Sequence, residues 1–155
     1  ALSLNAQIGY LDASYGEFDD VRFVAFGGSR AFQEPAFSPD WTARVGGAYE
    51  IDLGQQGSLT LAGAARFRSR MALAIDNTGV NSDVEIDGLF QDDYWLYDAS
   101  LTWRATDIFS VALQGRNLSD EIYRTDGQEF SSVGNIRTVY YGPPRTYSVV
   151  FTARY

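Results

Sequence analysis

The 155-residue sequence contains no cysteine and no histidine, and each absence excludes a class of chemistry. Without cysteine there is no disulfide framework and no thiolate. Without histidine the chain lacks the commonest general base and metal ligand, so no catalytic residue, metal site or cofactor is predicted. All twelve basic residues are arginine, and the formal net charge of −8 argues against a nucleic-acid partner, because phosphate binding needs a basic face.

Long hydrophobic runs are also missing. No stretch approaches the ~18–20 apolar residues of a transmembrane helix, and MALAI at residues 71–75 is far too short. The first ten residues have neither the basic start nor the continuous apolar core of a signal peptide. The chain begins instead in an alternating segment, which indicates a piece of a longer protein.

Alternation and aromatic residues are what the sequence does have. Ten Tyr, ten Phe and three Trp make up 15% of the chain. Six segments alternate with a period of two, which predicts strands with one apolar and one largely polar face. They are residues 2–10, 41–53, 58–68, 95–104, 108–116 and 145–155. At roughly 9 to 13 residues they suit tilted strands that cross a bilayer, whereas soluble strands average ~5–6.

The links between these segments alternate between short and long. Residues 54–57 and 105–107 are short turns, and residues 11–40, 69–94 and 117–144 are long loops. Short turns on one side and long loops on the other are typical of an outer-membrane β-barrel. Aromatic residues at both ends of the strands favour the same fold, because they fit the two membrane interfaces. They are Trp103, Phe109 and Tyr155 at the short turns, and Tyr10, Trp41, Phe67, Trp95 and Tyr147 at the long loops. The alternative is a soluble sandwich with a buried apolar face.

Six strands are too few for a closed barrel, since the smallest single-chain bacterial barrels have ~8. Open sheet edges cannot lie in lipid. The sheet is therefore expected either to be the C-terminal slice of a larger antiparallel barrel or to close by pairing with other material.

Two stretches resemble a known family. NLSDEIY at residues 117–123 resembles a motif of TonB-dependent receptors, carried here by Asn117, Leu118, Asp120 and Tyr123. GPPRTYSVVFTARY at residues 142–155 resembles their final strand, beginning with Gly142, Pro144 and Arg145. GYLDASYGEF and SPDWTARVGGAYE also look like that family. The resemblance implies that residues 1–155 are the last six strands of an all-β, 22-stranded barrel whose plug domain lies outside this chain.

The same resemblance implies a function. Such receptors are importers, not enzymes, in the outer membrane of Gram-negative bacteria, with long loops outside and the C-terminus at the periplasmic side. They bind a scarce small molecule, above all a ferric siderophore, and sometimes cobalamin, haem or glycans. Implied partners are the TonB complex, the plug domain, outer-membrane lipid, lipopolysaccharide and the barrel-assembly machinery. That machinery reads a C-terminal signal, which would here be Tyr147, Val149, Phe151 and Tyr155.

Candidate binding residues fall on the polar face and in the loops. The polar-face charges are expected to pair with one another or with the plug, or alternatively to line a translocation path. They are Arg44, Glu50, Asp52, Arg66, Arg68, Asp98, Arg104 and Arg116. Loop aromatics beside arginines suit ligand capture by stacking and cation–π contacts, and the alternative is that they pack the loops together. These loop candidates are Phe26, Arg30, Arg124, Arg137 and Tyr140.

The acidic loop before the fourth segment offers a candidate cation site. DVEIDG at residues 83–88 resembles the start of a calcium loop, but Tyr94 occupies the position that requires Glu. We expect instead that Val84 and Ile86 extend the strand and that the acidic side chains are solvated.

Two other functions stay open at this point. A barrel enzyme such as a lipase or protease would need a nucleophile with a base, usually histidine, which this chain lacks. A small oligomeric outer-membrane barrel or adhesin, with a structural or binding role, would require a chain that is complete at this length.

Overall fold

The computed structural model describes residues 1–17, 31–79, 83–130, 134 and 136–154. The strands are β1 Leu2–Tyr10, β2 Trp41–Asp52, β3 Ser58–Arg68, β4 Met71–Ala72, β5 Phe90–Gln91, β6 Tyr94–Arg104, β7 Phe109–Arg116, β8 Arg124–Phe130, β9 Ile136–Tyr141 and β10 Thr146–Ala153. Within the described ranges, no helix is long and apolar enough to cross a membrane.

Six strands form one antiparallel sheet in the order β1-β2-β3-β6-β7-β10. These are the six predicted segments, and the described strand ends lie within two residues of the prediction. The prediction of an all-β antiparallel fold is therefore confirmed. Within this chain the sheet is open, with β1 and β10 at its two edges.

The register places one apolar side chain of every strand in a single row across the sheet. The row is Leu2, Tyr49, Leu61, Leu101, Leu113 and Val149. All six are between 38% and 65% exposed, so no part of the chain that the structure describes covers that face. We call it the apolar face and the opposite one the polar face.

The two short turns are held by close backbone contacts and side-chain hydrogen bonds. A Cβ on Gly57 would overlap the carbonyl oxygen of Arg104, and its φ of 88° also favours glycine. Trp103 Nε1 donates to the Gln56 carbonyl at 2.9 Å, tying the first turn to β6. In the second turn, Thr106 Oγ1 accepts from the amide of Phe109 at 3.1 Å.

The long loops at the other end contain structure that the sequence pattern did not indicate. β4 pairs with β5, and β8 pairs with β9 as a hairpin. Between them lies a set of buried side chains that we call the loop core: Met71, Ala72, Leu73, Leu89 and Phe90. A Cβ on Gly127 of β8 would lie 3.0 Å from Leu89, so the hairpin packs closely on this core.

The expected extension of the fourth strand through Val84 and Ile86 is wrong. The amide of Ile86 donates to Asn77 O at 2.9 Å, and that of Gly79 donates to Val84 O at 3.0 Å. The two segments thus fold back on each other through a Thr78–Glu85 bridge, and β6 begins only at Tyr94. Local pairing satisfies these backbone groups above the sheet, so a longer strand is not needed.

Candidate ligand site: an arginine recess on the polar face

A recess of about 580 Å³ opens on the polar face at the long-loop end of the sheet. β1, β2, β3 and β6 supply its wall, and the segment after β7 supplies one side. The polar and aromatic residues that line it are Gln7, Thr42, Arg44, Arg66, Phe67, Arg68, Tyr94, Tyr123 and Thr125. We call it the arginine recess.

Positive charge is concentrated in this recess. Arg44 on β2 lies directly opposite Arg66 on β3, and Arg68 follows two residues later on the same face. Like charges in directly opposed positions destabilise a sheet. Arg66 is paired with Asp98 at 2.7 Å, whereas Arg44 and Arg68 are exposed and have no ion pair within the part of the chain that the structure describes. The recess thus presents three guanidinium groups against one carboxylate on a chain of net charge −8.

Two tyrosines flank these arginines. The rings of Tyr94 and Tyr123 stack with centroids 4.8 Å apart and an interplanar angle of 20°. Burial raises the pKa of Tyr123, and Tyr94 raises it further, while Arg66 and Arg68 oppose the shift. Tyr123 therefore stays a neutral phenol at physiological pH, with an aromatic surface beside guanidinium groups.

The motif residues after β7 form a hydrogen-bonded clasp, which we define as residues 117–123 and 142–145. Asn117 is buried and has a φ of 50°, in the left-handed region that asparagine tolerates. Its side chain accepts from Glu121 N at 2.9 Å and donates to Glu121 O and Pro143 O. Its own amide donates to Asp98 Oδ1 at 3.0 Å. Asn117 thereby joins the loop to β6 and to the link before β10.

A second set of contacts closes the clasp. Asp120, with a φ of 57°, accepts from the amide of Arg145 at 3.0 Å and is ion-paired with its side chain at 3.4 Å. The link that contains Pro144 is thus held to the loop after β7. The amide of Gly142 donates to Tyr123 O at 2.9 Å. Leu118 donates its amide to Tyr97 O at 2.8 Å and packs its side chain against Gly115.

The loop arginines predicted as ligand contacts are engaged in packing the loops together. Arg124 donates its amide to Gln91 Oε1 at 2.6 Å and its guanidinium to Phe90 O at 2.8 Å. Arg137 donates to Asp87 O at 3.3 Å, and Tyr140 on β9 is 49% exposed. None of these three residues lines the arginine recess. Phe26 and Arg30 fall outside the described residues.

One important loop residue was not singled out from the sequence. Arg70 is ion-paired with both Glu34 and Glu85 and lies 4.1 Å from the ring centroid of Phe90. Burial lowers the pKa of Arg70, but the two carboxylates outweigh it and raise the pKa overall. Its partners are 36 and 15 residues away in the chain, so no local pattern reveals the cluster.

The remaining predicted positions are distributed along the sheet. Among the eight polar-face charges, Arg66 and Asp98 form the single pair within the described residues. Tyr147, Val149 and Phe151 lie exposed on the apolar face of β10, and Tyr155 is not among the described residues. Within the described ranges no three acidic side chains gather as a metal site would require, and Glu85 of the acidic loop is bound to Arg70.

Comparison with known proteins gives the family of the chain. The sequence model described as "TonB dependent receptor-like, beta-barrel" matches residues 2–118. A comparison with curated proteins gave no match.

Three solved structures share the fold. The ferric yersiniabactin uptake receptor FyuA of Yersinia pestis has a TM-score of 0.63 and 24% identity over 76% of this chain and 16% of its own. The siderophore receptor PiuA of Acinetobacter baumannii has a TM-score of 0.67 and 17% identity over 99% of this chain and 20% of its own. The closed form of the ferric-catecholate import receptor Fiu of E. coli K12 has a TM-score of 0.63 and 20% identity over 97% of this chain and 18% of its own. The chain thus spans a fifth or less of the length of each.

Proposed function

The chain belongs to the TonB-dependent receptor family, and from this premise we propose that it is part of the wall of an outer-membrane barrel that imports a ferric siderophore. In this proposal residues 1–155 form the C-terminal segment of a 22-stranded barrel, and a plug domain elsewhere in the protein fills the lumen. The TonB complex drives import, as the family membership implies. The family consists of transporters, not enzymes.

The observation that carries the proposal is the arginine recess. A receptor that captures a scarce anion needs positive charge at the mouth of its lumen, because such charge raises the association rate and the affinity together. Arg44 and Arg68 supply that charge without local carboxylate partners among the described residues. Many ferric chelates are anionic. FyuA, PiuA and Fiu, which share the fold, are receptors for ferric yersiniabactin, a siderophore and a ferric catecholate respectively.

The apolar face supports a membrane location. Its exposed row of large side chains suits contact with outer-membrane lipid, and the neighbouring aromatic rings of Tyr10 and Trp41 suit the interface with lipopolysaccharide. The unpaired edges of β1 and β10 would be untenable in lipid, so further strands must cover them. We propose that the long loops are extracellular, that the C-terminus is periplasmic, and that the barrel-assembly machinery recognises β10 through Tyr147, Val149, Phe151 and Tyr155.

The test uses the intact protein in its native outer membrane. In cells grown under iron limitation, replacing both Arg44 and Arg68 by Gln should lower uptake of radiolabelled iron from an anionic ferric siderophore by at least ~10-fold. Each lost charge-assisted hydrogen bond is worth about 1.5–3 kcal/mol. Arg104→Gln is the matched control, because Arg104 lies on the same polar face at the short-turn end. Equal uptake by the wild-type protein, the double variant and Arg104→Gln would refute the proposal.

The proposed place of this segment in a larger barrel has its own test. The polypeptide extracted from the native membrane should have an intact mass several times the 17.2 kDa of this chain. A mass of 17.2 kDa would mean instead that several chains close the barrel together.

A further inference from the structure

Tyr123 lies where the loop after β7 meets the arginine recess. It belongs to the loop after β7, yet its ring reaches back to stack on Tyr94 and lines the recess. Arg66 and Arg68 are close enough to lower its pKa against the effect of burial. One aromatic ring is thus placed beside the guanidinium groups that we assign to anion capture.

The clasp makes room for the ring of Tyr123 at Gly142, which has no side chain. A Cβ built on Gly142 would overlap Cζ, Cε2 and the hydroxyl oxygen of Tyr123. Gly142 also donates its amide to Tyr123 O, which fixes the backbone on both sides of the contact. Any side chain at position 142 would therefore push the ring away from its place. The overlapping atoms belong to the far end of the ring, so the ring can shift without disrupting the sheet.

We propose that Tyr123 contacts the ligand, that the recess selects an anionic chelate carrying an aromatic ring, and that Gly142 is a positioning residue for Tyr123. This inference rests on the proposed function and names the substrate class of the same recess. Guanidinium groups attract the charge of such a ligand, and the partly exposed ring of Tyr123, which is stacked on the buried Tyr94, offers a surface against which a ring can pack. An anionic chelate without a ring uses the arginines alone.

Two iron(III) probes separate the contribution of the ring from that of the charge. The iron(III) complex of 2,3-dihydroxybenzoylserine is anionic and aromatic, and iron(III) citrate is anionic without a ring. Binding of both is measured by calorimetry on the intact detergent-solubilised protein. Tyr123→Leu should weaken the aromatic probe by about 2- to 12-fold, the range expected for one aromatic pair. Tyr123→Leu should leave the affinity for iron(III) citrate unchanged. Tyr123→Phe should keep the affinities for both probes within about 2-fold of the wild-type values.

The positioning role is tested by a double-mutant cycle. Gly142→Ala should reproduce the selective loss of Tyr123→Leu, and adding it to Tyr123→Leu should cause no further loss. Asp120→Asn, which weakens the tie to Arg145, gives a second perturbation of the clasp if Gly142→Ala assembles poorly. It should cause a smaller loss in the same direction.

The possible failures are distinguishable. Equal weakening of both probes by Tyr123→Leu would mean a structural role for the ring and would overturn this inference alone. Additive losses from Gly142→Ala and Tyr123→Leu would overturn the positioning role. If the wild-type protein binds neither probe, this inference falls, and the proposed function falls with it only if uptake is also insensitive to the replacement of Arg44 and Arg68.

Discussion

The loop core and the six-stranded sheet treat apolar side chains in opposite ways. Leu73 and Leu89 in the loops are fully buried, whereas Leu61 and Leu101 at the centre of the sheet are 54% and 38% exposed. In a water-soluble domain the sheet would bury its apolar face and the loops would be polar. The inversion supports the proposal that the two regions are adapted to different solvents: the loops exclude water by packing on themselves, and in this proposal the sheet presents its apolar face to lipid.

Arginines differ between the two regions in the same way. In the loops, Arg70 binds two carboxylates and Arg124 binds a backbone carbonyl. In the arginine recess, Arg44 and Arg68 have no carboxylate partner within the described residues. The described loop arginines therefore hold the loops together, whereas Arg44 and Arg68 of the sheet are left available for a ligand or for the plug domain that we propose.

The largest expected effect on stability comes from a leucine-to-alanine substitution in the loop core, compared with the same substitution in the sheet. Leu89→Ala should lower the free energy of opening of the loop core by about 2–5 kcal/mol, because a fully buried leucine leaves a cavity. Leu101→Ala should cost less than about 1 kcal/mol, since lipid chains can fill the space on an exposed face. The readout is hydrogen exchange, at Leu73 N for the loop core, where this amide donates to Leu89 O at 2.8 Å, and at the amide of Leu101 for the sheet. Equal effects of the two substitutions would contradict the assignment of different solvents.

A charged substitution should test the assignment of lipid to the apolar face. Leu101→Arg places a guanidinium near the middle of that face and should destabilise the protein in phospholipid vesicles by about 2–4 kcal/mol. The adjacent Thr102→Arg points to the polar face and should cost less than about 1 kcal/mol. Equilibrium unfolding by urea from vesicles measures both. If Thr102→Arg proves the more harmful, the faces have been assigned the wrong way round.

The sheet was predictable from the sequence because each of its strands carries apolar side chains on one face along its length. That alternation has a period of two, so Leu2–Tyr10 and Ser58–Arg68 were located to the residue. The loop core was not predictable, because Leu73 and Leu89 sit in irregular backbone where burial has no fixed period. Val84 and Ile86 show the resulting error: their alternation resembled a strand extension, but local backbone pairing with residues 77–79 formed instead.

The candidate site was predictable in part. Alternation assigned Arg44, Arg66 and Arg68 to the polar face, but their proximity depends on the register, which the turn at Gly54–Gln56 sets. The family resemblance identified Asn117, Asp120 and Gly142 without indicating their contacts. Those contacts depend on left-handed backbone at Asn117 and Asp120, a property of the folded loop.

The smallest expected effect concerns Tyr123, where the loops meet the recess. Its folded-state pKa is raised, so the stability gained by keeping the phenol neutral is fully present below about pH 10 and is lost as the pH rises through the folded pKa. Tyr123→Phe removes this pH-dependent contribution to stability. The tyrosinate absorbance of the wild-type protein minus that of Tyr123→Phe should show one phenol that titrates above its ordinary range. Tyr94→Phe should move that titration to lower pH, and Arg68→Gln should move it higher, because their influences have opposite signs. Shifts in the reverse directions would mean that Tyr123 does not share the recess with the arginines, and the recess would then be a feature of the sheet alone.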